Sequence, residues 1–126
     1  MAMVSISLKG TTRRPVIMIG PWTLKIARGS LGRRCNQREA KLFRTSAPHR
    51  QQLLCPVLWV SRKGLLLIMA TAQPMEQLDR DTYYELWCQW DYEPGEDGHP
   101  FEPKAADWGW YDGRPVAVDY SPLEDT

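Results

Sequence analysis

The sequence predicts an α+β fold with a largely antiparallel sheet, and three observations carry that prediction. Short apolar runs of strand length, some alternating at period two and others apolar throughout, occur in the first 27 residues and again from 53 to 72. Two other stretches repeat apolar positions at helical spacing, 36–47 and 75–92. Turn pairs, Gly20-Pro21 and Asp112-Gly113, separate runs short enough to be neighbouring strands. Strands, a helix, strands, a helix and a closing hairpin in that order are an α+β pattern.

Each element has its local reason. "VSISLKG" alternates like a strand, and "PVIMIG" is an apolar run closed by Gly20-Pro21. "WTLKIAR" alternates again, with Trp22, Leu24 and Ile26 on one face and Thr23, Lys25 and Ala27 on the other. Residues 28–35 read as a polar, glycine-bearing loop. In "NQREAKLFRTSAP" Asn36 is a fitting N-cap, with Glu39 in capping-box position and Ala40, Phe43 and Ala47 on one stripe before Pro48 stops the helix. "LLCPVLWVS", the turn "RKG" and "LLLIMATA" spell a hairpin, its second arm apolar enough to be a central strand covered on both faces. "TAQP" then leads away from the sheet. Tyr83, Leu86, Trp87 and Trp90 form a helical stripe expected to pack in the core, with Thr82 and Glu85 as a capping box. "EPGEDGHP" is a loop, and "GWYDGRPVAVDY" a hairpin whose Trp108 and Trp110 share one face and could meet a partner.

At 126 residues the chain is expected to be a single domain, 1–126, with a sheet-and-helix part over 1–73 and a smaller part over 74–126. No apolar run reaches the about 18 residues that a membrane span needs, and "MAMVSISLKG" does not read as a signal peptide. Cys35, Cys55 and Cys88 are an odd number with no C-x-x-C pair, which points to buried, reduced thiols and the cytoplasm. His49 and His99 lack a cysteine at ligand spacing and read as surface residues.

The net charge of +1 conceals a division. Residues 1–65 carry 13 Lys+Arg against the single acid Glu39, whereas residues 66–126 carry 3 Lys+Arg against 14 Asp+Glu. The halves attract each other, and the basic one can also attract phosphates or an acidic partner. Its charges are scattered through "TTRRP", "IARGSLGRRCNQR" and "APHRQQ", so surface charge balanced within the fold is an equal alternative.

The residues that could carry chemistry are Lys25 on a strand, Glu39 on the next helix, and Glu102, Lys104, Asp107 and Asp119 towards the end. Asp119 stands in the apolar run "VAVDYS", where an unpaired carboxylate would cost several kcal/mol to desolvate, so a cationic partner is expected. Blander readings stand beside these. Glu39 can cap its helix, Lys25–Glu39 can be a structural ion pair, Asp107 can cap the turn before Trp108, and Asp119 can pair with a base from the first half.

In order and spacing these residues resemble the protein-kinase-like fold, over roughly Val16 to Ser121. Lys25 in "TLKIAR" matches the family's strand lysine, which holds nucleotide phosphates, and Glu39 in "NQREAKLF" matches its helix glutamate. "CPVLWVSRKGLLLIMATAQP" resembles the hairpin and hinge that face adenine. Glu102 falls at the catalytic aspartate, with Lys104 two residues on; Asp107 takes the place of the metal-binding asparagine, and "VDYS" sets Asp119 at the Asp-Phe-Gly aspartate. The ending "DWGWYDGRPVAVDYS" is also similar to small kinase-like proteins of bacteria and phages.

The resemblance implies a kinase-like amino-terminal lobe with one main helix and a strongly shortened second lobe. It implies ATP and Mg²⁺ as cofactors, with Lys25 and Glu39 on the nucleotide, Glu102 and Lys104 catalytic, and Asp107 and Asp119 on the metal, Lys25 and Asp119 converging on one cleft. The chain departs from the family pattern in several places. No G-x-G-x-x-G precedes Lys25, Pro100-Phe101-Glu102 replaces His-Arg-Asp, and the sequence ends seven residues after Asp119, leaving no activation segment. The leading expectation is therefore a catalytically reduced, pseudokinase-like binding or inhibitory protein, phage-encoded and aimed at a host protein. A minimal Mg-ATP-dependent phosphotransferase is the second, and a nucleic-acid-binding protein using the arginines of residues 13–50 the third.

Overall fold

In the computed structural model, which describes residues 4–7, 14–91 and 98–120, the chain is α+β with antiparallel sheets. The described residues of Met1–Thr45 and Pro56–Thr71 make one compact unit, and those of Ser46–Cys55 and Ala72–Pro122 another. Ser46–Cys55, ahead of the expected division at residue 73, thus belong with the second unit.

The first unit is a five-stranded sheet with one long helix. Strands β1 (Val4–Ser7), β2 (Val16–Ile19), β3 (Trp22–Ile26), β4 (Val57–Val60) and β5 (Leu66–Ala70) lie in the order β1-β2-β3-β5-β4. Ile19 pairs with Trp22, so the β2–β3 turn is Gly20-Pro21 alone. Gly20 has φ 55° and precedes a proline that fixes its own φ, a combination that suits a type II′ turn. The β4–β5 turn closes on Gly64 at φ 75°. Strand β5 is interior as expected, but its two faces differ: Leu67 and Met69 are buried, whereas Leu66 and Ile68 are half-buried.

Helix α1 (Gly29–Thr45) begins seven residues before the expected cap at Asn36. Gly29, Ser30 and Gly32 read as loop residues by propensity, yet Gly32 is buried and the helix runs through it. Asn36 and Glu39 are therefore not a cap and its box partner; they lie mid-helix on the buried face, beside Ala40. The cross-strand pairs Thr23↔Met69 and Lys25↔Leu67 put those four residues on one face of the sheet, and Lys25 reaches Glu39 of α1 from it. Trp22, Leu24, Ile26, Ile68 and Trp59 lie on the other face.

The second unit holds α2 (Pro48–Gln51), β6 (Gln73–Pro74), α3 (Arg80–Gln89), a 3-10 turn at Ala105–Asp107, β7 (Trp108–Tyr111) and β8 (Arg114–Ala117). Strands β6, β7 and β8 form an antiparallel sheet, so "TAQP" leaves the first sheet and enters the second. "LLC", expected as part of a strand arm, instead lies after α2, where Leu54 bridges Ala117 and Cys55 N–H donates to the Ala117 carbonyl. The hairpin turn is Asp112-Gly113, both at positive φ (52° and 77°), the type I′ geometry expected of Asp-Gly.

Helix α3 starts later than its periodicity suggested. Its N-cap is Asp79, whose side chain accepts from Thr82 N–H at 2.7 Å, and not Thr82 itself. Tyr83, Trp90, Phe101 and Trp108 pack edge-to-face, with Phe101 4.9 Å from Trp108 and 5.6 Å from Trp90 between ring centroids. Trp90 and Trp108 are thus core residues, while Trp87 turns outward and Trp110 is exposed.

Candidate functional site

Lys25 and Glu39 meet in the first unit. The β3 lysine donates through Nζ to Glu39 Oε1 at 2.8 Å, and the two side chains are almost completely buried. Arg14, which sequence reading passed over, completes the cluster. Its guanidinium grips both oxygens of Glu39, at 2.8 and 3.2 Å, and donates to Asn36 Oδ1 at 3.2 Å. Asn36 Nδ2 in turn donates to the Lys25 carbonyl at 3.1 Å and the Gly64 carbonyl at 2.9 Å.

The electrostatics follow from this packing. Burial by itself would push the Glu39 carboxyl up, but the charges and hydrogen bonds of Arg14 and Lys25 outweigh it and hold the group at about 2. A signal for Arg14 was present. A two-residue turn at Gly20-Pro21 pairs Val16 with Lys25, and period two then puts Arg14 on the same face of the sheet. The arginine is one register step away from the lysine it supports.

Glu102, Lys104, Asp107 and Asp119 gather in the second unit. Lys104 Nζ and Glu102 Oε2 are 2.9 Å apart in an exposed pair. Glu102 chiefly, then Asp107 and Asp119, push the Lys104 ammonium above its ordinary pKa, so all three carboxylates lie within its electrostatic reach. The Asp107 carbonyl accepts from Val118 N–H at 2.8 Å and Asp119 N–H at 3.4 Å, tying the 3-10 turn to the end of the hairpin. Trp108 Nε1 donates to the Glu102 carbonyl at 2.8 Å, and the buried Tyr120 hydroxyl to the Cys55 carbonyl at 2.8 Å. The Asp119 side chain is half-buried between these anchors. Asp119 is among the carboxylates that raise the Lys104 ammonium's pKa, after Glu102 and Asp107.

Other residues fall as follows. His49 is exposed, 3.6 Å from an Asp91 oxygen, and His99 stacks on Trp87 with centroids 4.1 Å apart. Tyr84 also stacks with Trp87, centroids 6.1 Å apart, a surface feature the helical stripe did not announce. None of the three cysteines is in a disulfide, but only Cys55 is buried; Cys35 is half-buried and Cys88 exposed, which corrects the expectation of three buried thiols. Among the described residues no group of three or more His, Cys, Asp or Glu is placed to hold a metal ion, and no helix is long and apolar enough to cross a membrane.

Comparison with protein-family models, with curated protein sequences and with solved structures finds no match to this chain.

Proposed function

We propose that this chain is a catalytically reduced, kinase-like protein that works in the cytoplasm as a binding module for another protein. A phage origin and an inhibitory action on a host protein extend this reading and rest on sequence resemblance alone. The observation that carries it is the state of Lys25. A lysine that holds phosphates must present its ammonium, but Lys25 is only 4% exposed, and it shares one buried carboxylate with Arg14. Such a cluster fixes a helix on a sheet. It offers little charge to a nucleotide, because drawing Lys25 away would break its bond to a buried carboxylate in a desolvated setting.

The binding half of the proposal is supported by the opposite sheet face. Trp22 and Trp59 are 52% and 48% exposed there, beside half-buried Leu24 and Ile68. Large aromatic side chains of this kind anchor protein interfaces, since they bury much area at small entropic cost.

A minimal Mg-ATP-dependent phosphotransferase is favoured instead by one feature, the gathering of Glu102, Asp107 and Asp119 about Lys104. Two carboxylates with water and phosphate oxygens suit Mg²⁺, so Asp107 and Asp119 would hold the ion and Glu102 would take a proton from a hydroxyl. When bound, the ion would neutralise phosphate charge.

Thermal melting with millimolar Mg-ATP separates the two. The binding module is expected to release no phosphate from ATP, and any melting shift it shows is expected to survive Asp119→Ala. Ligand at 100 times its Kd stabilises by about 2.7 kcal/mol, which is several degrees for a chain of this size. A shift of that size abolished by Asp119→Ala would favour the phosphotransferase, and phosphate release lost in the same variant would overturn the proposal.

A further inference from the structure

Four of the ten described basic residues of the first unit lie together. Ser30, Arg33, Arg34 and Gln37 stand at i, i+3, i+4 and i+7 of α1, so they share one face, and with Arg62 and Lys63 of the β4–β5 turn they line a depression of about 350 Å³. Four of these six side chains are cationic and none is acidic. Glu39, the single acid among residues 14–71, is buried and bound to Arg14 and Lys25.

The lining is held in place before any ligand arrives. Asn36 Nδ2 donates to the Gly64 carbonyl at 2.9 Å and Gln37 Nε2 to the Arg62 carbonyl at 3.3 Å, so the turn is fastened to the helix at two points. The approach is so close that a Cβ on Gly64 would lie 2.5 Å from the Arg33 carbonyl oxygen. Among the described residues the lining holds four cations and no acid, so the cations repel one another, and an anion with several charges relieves that repulsion.

We propose that this depression binds a small ligand carrying two or more adjacent phosphate groups. This goes beyond the binding-module reading and does not depend on it. Arginine forks donate in pairs to phosphate oxygens. Ser30 to Gln37 spans about 10 Å of helix, the length of a di- or triphosphate and short for a path along a nucleic-acid strand of four or more nucleotides.

Calorimetric titration with tripolyphosphate at about 50 mM salt tests this. The expected result is saturable binding at one site, weakened about tenfold by Arg33→Gln and, separately, by Lys63→Gln, each removing one charged hydrogen bond. Arg44→Gln, two turns beyond Gln37 and outside the lining, should change affinity less than twofold. Lys63 is on an exposed turn, so its variant reads the site even if Arg33→Gln does not fold. Absence of saturable binding, or an equal loss in Arg44→Gln, overturns the proposal. So does a single-stranded 12-mer that displaces tripolyphosphate and binds more than tenfold tighter, which would make the face a nucleic-acid surface.

Discussion

Glu39 neutralises two buried cations from one helix, Lys25 on β3 and Arg14 just ahead of β2. Removing its charge leaves Arg14 and Lys25 desolvated and undercompensated, which typically costs about 3–5 kcal/mol. Its carboxyl sits at about 2 in the folded protein against 4.5 in the open chain. A group depressed on folding stabilises above its unfolded value and loses that contribution as pH falls towards its folded value. Denaturant titrations at stepped pH should therefore find Glu39→Gln less stable than the parent at neutral pH, with the gap narrowing between about pH 4.5 and 2. A gap constant down to pH 2 would refute this account of the cluster. At this scale sequence reading named Lys25 and Glu39 but gave Glu39 an alternative as a capping residue. The capping-box pattern is local and frequent, whereas its actual partners are 14 and 25 positions away. Asn36 was misread for the same reason: a residue with good cap chemistry was spent on long-range bonds to two carbonyls.

Turns show where local chemistry suffices to specify an element. Gly20-Pro21 and Asp112-Gly113 were legible because each dipeptide can adopt the required φ values at small cost and most others cannot. Helix starts were less legible. Gly29, Ser30 and Gly32 carry loop propensities of only about 1 kcal/mol or less each, and the packing of α1 on the sheet overrides them. Helix α3 has its true cap in Asp79, so Asp79→Ala should cost about 1 kcal/mol in chemical denaturation; a neutral result would mean that the helix start gains nothing from that bond. The β4–β5 turn gives a sharper case. Gly64→Ala must adopt φ 75° and place its Cβ 2.5 Å from backbone oxygen and 2.8 Å from Gln37 Cγ. Both strain and overlap oppose it, so a loss of about 2–4 kcal/mol is expected, together with weaker tripolyphosphate binding, because the turn that presents Arg62 and Lys63 must shift.

Charge in the whole molecule is sorted by compact unit as well as by sequence half. Residues 14–45 and 56–71 carry ten Lys+Arg against one acid, while residues 46–55, 72–91 and 98–120 carry four against nine. The sequence made the imbalance visible by counting, but it could not say that Ser46–Cys55, with Arg50, belong to the acidic unit, since that depends on Leu54 meeting Ala117 far along the chain. Net charge is an unreliable guide to how such a molecule meets others. Near its isoelectric point of about 7.7 an evenly mixed protein would pass through both kinds of ion exchanger. Here the described residues of each unit carry a net charge of their own sign, and charges further apart than about 10 Å are screened from one another at 0.1 M salt. Retention on both a cation exchanger and an anion exchanger is therefore expected at pH 7.7 and about 50 mM salt. Arg33→Gln combined with Arg62→Gln should shorten retention on the first resin and leave the second unchanged, because those two charges belong to the basic unit alone. Flow-through on both resins would mean that the opposite charges cancel locally, and the basic depression would then lack the uncompensated field that phosphate recognition requires.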